Sequence, residues 1–134
     1  MKHARLSLHA LNTKADALAS LLDGGFLDLY AGSRPTTPEA AAPATALARL
    51  HFADPAFAPA DAGVSEAHPL RAEDAAPAAG HATWFRCVTA DGRAVVDGSV
   101  GTNDADLVLS TATILVGTRV TVDRFELVES ADVS

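Results

Sequence analysis

Between Ala82 and Val128 short apolar runs are repeatedly interrupted by turn-forming residues, and this rhythm limits the fold more than any other feature of the chain. Ala82 to Thr89 (Ala-Thr-Trp-Phe-Arg-Cys-Val-Thr) has strand composition, Asp91-Gly92 is a hairpin signal, and Ala94 to Val100 reads as the returning strand. Asp106 to Leu109 and Ile114 to Val116 read as short strands, and Thr118 to Val128 as a closing one. In the last, alternation changes phase between Val122 and Phe125. A β-bulge at Asp123-Arg124 accounts for this, because one extra residue moves everything after it to the other face.

The N-terminal part follows a different period. Leu8, Leu11, Ala15, Leu18 and Leu22 are spaced three or four residues apart, which places them on one side of a helix. Asn12 or Thr13 is the expected cap of its regular part, with Asp16 as capping-box partner to Thr13. Gly24-Gly25 ends it, since glycine accepts the left-handed conformation that closes a helix. Such a stripe packs on the domain's own sheet or docks on a neighbouring subunit, and both readings stand at this level.

After the glycines, Phe26 to Tyr30 reads as a first strand, broken by Ala31-Gly32-Ser33-Arg34-Pro35. Pro35 to Pro43 reads as an exposed loop with one helical turn at Thr37-Pro38-Glu39. Leu47 to Phe52 alternates as a strand and ends at Asp54-Pro55. From Ala53 to Ala79 the chain is rich in Ala, Pro and Asp, with one modest edge strand expected over Ser65 to Arg71, because Pro69 lacks an N–H for a ladder. About seven short strands, with turns roughly every eight to twelve residues, predict a mainly β fold: an antiparallel, jelly-roll-like β-sandwich with one N-terminal α-helix. Strands do not alternate with helices, which excludes a doubly wound sheet. At 134 residues one globular domain is expected, with an arm and helix over 1–25 and the sandwich over 26–134.

Charge narrows the partners. The net charge is −7 and the lysines are Lys2 and Lys14, with arginines dispersed, so no phosphate-binding surface and no attraction to an anionic membrane is expected. Cys87 stands alone, and neither a signal peptide nor a membrane span is legible, so synthesis in a bacterial cytoplasm is expected. His3, His9, His51, His68 and His81 lack metal-ligand spacing. Thr102 to Asp106 departs from a calcium loop and reads as a polar turn. Gly98-Ser99-Val100-Gly101 has neither the helix of a phosphate cradle nor the pattern of a nucleophile elbow. Trp84 reads as a core or interface residue. No catalytic, cofactor-binding or metal residue is therefore assigned, and an enzyme is not expected.

Ala82-Thr-Trp-Phe-Arg86, Asp91-Gly92, Val96-Asp-Gly-Ser-Val-Gly-Thr102 and Asp104-Ala-Asp-Leu107 resemble a family of small virion structural proteins of tailed bacteriophages and prophages, head decoration or tail-associated. Leu29-Tyr-Ala-Gly-Ser-Arg-Pro35, Leu47-Ala-Arg-Leu50 and Asp54-Pro-Ala-Phe57 agree with it, so the likeness spans nearly everything after the helix. The charged start, Met1 to Arg5, and acidic tail, Glu129 to Ser134, depart from it and read as partner-binding extensions. The resemblance implies a homo-oligomeric capsid decoration, or cement, protein in the virion, bound to the major capsid protein or other virion proteins. Its alternative is a tail or head-tail junction protein. A carbohydrate-binding module or adhesin is a rival of another class, and it needs Trp84 or Tyr30 on an exposed concave face. The contacts expected with a partner are Leu8, Leu11 and Leu18 of the helix and Arg34, Pro35 and Pro38 of the loop from Ser33 to Ala44.

Overall fold

The computed structural model describes residues 4–133; Met1, Lys2 and His3 of the charged start, and Ser134 of the acidic tail, lie outside them. The chain runs β1 (Ala4–Arg5), α1 (Leu8–Ser20), β2 (Phe26–Tyr30), β3 (Ala48–His51), β4 (Val64–Glu66), β5 (Gly80–His81), β6 (Trp84–Val88), β7 (Ala94–Gly101), β8 (Leu107–Val108), β9 (Thr113–Ile114), β10 (Glu126–Val128) and β11 (Asp132–Val133). It is mainly β, with one helix and a mixed five-stranded sheet, in the order β3-β2-β6-β7-β8, that curls into a half-barrel. Two-stranded ribbons β1–β11, β4–β10 and β5–β9 stand beside it.

The helix starts earlier than the capping pattern predicts. Ser7 is the N-cap and accepts from Ala10 N at 3.1 Å. Asn12 and Asp16 serve the neighbouring loop instead: Asn12 Oδ1 accepts from Gly63 N at 2.9 Å and Asp16 Oδ1 from Ala60 N at 2.7 Å. Asp23 Oδ1 accepts from Ala56 N at 2.8 Å. These acceptors hold the loop against α1, so the helix packs on its own domain through Leu11, Ala15, Ala19 and Leu22.

That latch also explains the segment from Ala53 to Ala79. It holds only the short β4, and Pro69 falls outside it, between the isolated bridges Phe57–Ala67 and His51–Arg71. Small and cyclic side chains supply little cross-strand packing, so side-chain latches and single bridges replace a ladder. The expected closing strand is likewise reduced to β10. Val120, Val122 and Phe125 are all buried, and the change of phase at Asp123-Arg124 is a bend in irregular chain, where a bulge was expected.

The hairpin β6–β7 forms where the composition places it, with a register shift at Cys87/Val88. Gly98 in β7 is required by close approach: a Cβ there would stand 2.7 Å from Phe85 Cε1. β8 departs from the antiparallel expectation and runs parallel to β7, pairing Val100 with Leu107 and Gly101 with Val108. Parallel strands usually need a connection of about a dozen residues. Here the chain curls straight back, with Asp104 at φ +49. Asp106 Oδ2 accepts from Ser99 N at 2.9 Å while Asp106 N donates to Ser99 Oγ at 3.0 Å. Inside the half-barrel, Phe52, Phe57, Phe85 and Phe125 form one cluster with centroids 5.5–6.1 Å apart, packed with Leu22, Leu27, Leu29 and Leu50.

Candidate functional site

The outer face of the central sheet carries charge where strand pairing concentrates it. Register sets Arg49 opposite Asp28, Asp28 opposite Arg86, and Arg86 opposite Asp97, a row of alternating sign across β3, β2, β6 and β7. Arg49 grips Asp28 with two bonds, Nε to Oδ1 at 2.7 Å and Nη2 to Oδ2 at 2.9 Å. Arg86 is buried; its Nη1 donates to Ala40 O at 2.6 Å, and its Nη2 lies 3.6 Å from Asp97 Oδ2. Arg34 Nη1 reaches the other oxygen of Asp97 at 3.7 Å.

Rings flank the row. Tyr30 stacks on Trp84 at 4.3 Å, Arg86 lies over Trp84 at 5.3 Å, and Arg49 lies over Phe26 at 4.3 Å. His51 meets Phe26 edge-on at 4.8 Å. The hydrogen bond that Arg49 donates to Asp28 raises the guanidinium further above its ordinary range. Burial, then the Asp28 charge, pushes the Tyr30 hydroxyl up. Burial, then Arg71 and Arg49, holds the His51 imidazole below its ordinary value.

This arrangement is a clamp. Trp84 Nε1 donates to Ala31 O at 3.2 Å and Thr83 Oγ1 to Gly32 O at 2.6 Å, so the loop after β2 is tied down at Ala31, Gly32, Arg34 and Ala40. Pro35 and Pro38 are half-buried along it, and Arg34 keeps an exposed side chain. Of the helix contacts expected with a partner, Leu8 is exposed, Leu18 is partly buried, and Leu11 is buried within its own domain and closed to a partner. Trp84 and Tyr30 are both buried, so the exposed aromatic platform that the sugar-binding alternative needs is not formed by them.

Other features lie elsewhere. Among the described residues no group of His, Cys, Asp or Glu is arranged to hold a metal ion. A hollow of about 300 Å³ beside α1 is lined by Asp16, Asp23, Phe57 and His68, with both carboxylates engaged by the backbone of the latched loop. Leu21, at the C-cap of α1, is exposed. Leu115 and Val116, read from the sequence as strand, sit at a surface turn closed by Gly117 at φ +82, and are 60% and 65% exposed. The missed signal is Val116-Gly117-Thr118, a turn written in an apolar run. The charge row also left a trace, since Asp28 and Arg86 each sit mid-strand between apolar neighbours. No protein-family model matches the chain, and neither a curated protein nor a solved structure shows significant similarity to it.

Proposed function

We propose that the chain is a non-enzymatic structural protein of a tailed-phage virion, a capsid decoration or cement protein that binds the major capsid protein across subunit seams as a homo-oligomer. The observation that carries this reading is the surface turn at Leu115-Val116, where two consecutive large aliphatic side chains face solvent. Turn tips are ordinarily polar, and adjacent exposed aliphatics mark a surface that gains by being covered. Burial of apolar surface contributes about 25 cal/mol per Å², and a stable seam contact covers on the order of 1,000 Å². A net charge of −7 complements basic patches on a shell. In the same reading, ribbons β4–β10 and β5–β9 take the part of a second layer, and the fold is a reduced sandwich of jelly-roll-like kind.

The test is sedimentation of purified protein with heads lacking decoration. The wild type is expected to travel with the heads, and the double variant Leu115→Ser/Val116→Ser to stay behind while keeping its circular dichroism. Folded wild-type protein that never co-sediments counts against a place on the shell. Immunogold label on the tail would move the assignment there.

A further inference from the structure

Between β2 and β3 the chain crosses the outer face of the central sheet as a strap, residues 32–46. None of its side chains is buried, and among the described residues no backbone–backbone hydrogen bond joins it to the rest of the chain. Side chains of and beside the sheet hold it. Thr83 Oγ1 donates to Gly32 O at 2.6 Å, Arg86 Nη1 donates to Ala40 O at 2.6 Å, and Arg34 reaches Asp97 at 3.7 Å. At its root Trp84 Nε1 donates to Ala31 O at 3.2 Å. The face beneath is closed off: Trp84 is 2% exposed and Tyr30 8%, although neither belongs to the phenylalanine core. Arg86 Nε and Nη2 and Asp97 Oδ2 are buried there without a hydrogen bond to the protein.

We propose that the strap is a lid: it opens as a unit while the half-barrel stays folded, baring the Tyr30–Trp84 stack and the Arg86–Asp97 pair to solvent. Opening breaks few contacts and gives up little apolar burial, so it costs far less than unfolding. It also hydrates the polar atoms of Arg86 and Asp97 that the closed strap leaves unbonded, which offsets part of the lost bonds. The inner face keeps its packing throughout, because no residue of the strap belongs to that core. The proposal stands apart from the capsid reading, since the isolated protein suffices to test it.

Native-state hydrogen exchange on the isotopically labelled full chain is the test. Trp84 is the sole tryptophan, so its indole N–H is a single signal at the root of the strap. The amide of buried Phe52, which donates to Gly25 O at 2.9 Å, reports on unfolding of the core. The indole is expected to be at least about a hundredfold less protected than Phe52. Its exchange should hardly respond to low urea, because a local opening exposes little surface. Leu50→Ala is expected to speed exchange at Phe52 at least about thirtyfold and to leave the indole unchanged. Thr83→Val removes the bond to Gly32 from an exposed position and is expected to speed the indole about fivefold. Equal protection and urea dependence at the two sites would make the opening global and overturn the proposal, as would an indole accelerated in step with Phe52 by Leu50→Ala. An indole rate untouched by Thr83→Val would mean that the ring moves without the strap, and would overturn it too.

Discussion

On the inner side of β2 and β6 the side chains are Leu27, Leu29, Phe85 and Cys87; on the outer side of the same strands they are Asp28, Tyr30, Trp84 and Arg86, and both sets are buried. The inner set is held by removal of apolar area from water, which has no preferred direction and accepts many residues of similar size. The outer set is held by directed contacts: a two-bond grip, a ring stack, and donors aimed at Ala31 and Ala40. Such contacts fix where a loop lies, which non-directional burial cannot do. The inner face therefore builds the barrel, and the outer face positions the surface presented by Arg34, Pro35 and Pro38.

Truncation offers the hardest test of that contrast. Arg86→Ala removes the anchor of Ala40 and leaves buried Asp97 with only its contact to the exposed Arg34, at an expected loss of about 3–5 kcal/mol. Leu50→Ala on the inner face is expected to cost about 2–5 kcal/mol through lost transfer energy and the remaining cavity. Urea unfolding measures both. An Arg86→Ala loss below about 1 kcal/mol would mean that the outer charges act like ordinary surface pairs. Arg49→Met is a milder version, because its side chain is 47% exposed and Asp28 is nearly fully buried. The expected cost is about 1–3 kcal/mol, from one carboxylate losing its two donors. Limited proteolysis distinguishes the two arginines further: only the Arg86 variant should expose the loop from Ser33 to Ala44 to cleavage.

Titration supplies the smallest effect, with opposite sign on the two faces. His51 on the outer face has its folded value depressed, so the unfolded chain takes up the proton first. Its contribution is whole above about pH 6.5 and is lost as pH falls below that. Cys87 on the inner face is pushed well up by burial and by Asp28, so the unfolded thiol ionises first. Its contribution is whole below about pH 8.5 and is lost as pH rises above that. Melting temperature against pH should therefore decline at both ends. His51→Gln should flatten only the acid limb, and Cys87→Ala only the alkaline one.

Several elements were legible because their signals are local. The apolar spacing of Leu11 and Ala15 marks the helix, but it ends at Ser20 with Leu21 as C-cap, and the double glycine closes the turns that follow. Phe26 to Tyr30, Leu47 to Phe52 and the Asp91-Gly92 hairpin became strands nearly as read. Where local signal was thin, partners distant in the chain decided. Asn12 and Asp16, read as capping residues, became latches for a loop more than forty residues away. The charge row was half visible, as acid and base in the middle of strands, but its members come from four segments that only pairing aligns.

By itself the amino-acid order determined that this chain is mainly β with a leading helix, and it placed most of the turns, though not the one at Val116-Gly117, because periodicity, glycine and proline act within a few residues. Tertiary structure decided which side of each strand faces the phenylalanine cluster and that β8 runs parallel to β7. Those outcomes depend on register between segments far apart in sequence. A shift of one residue would exchange the two faces, and the linear code carries that information only through the packing that results.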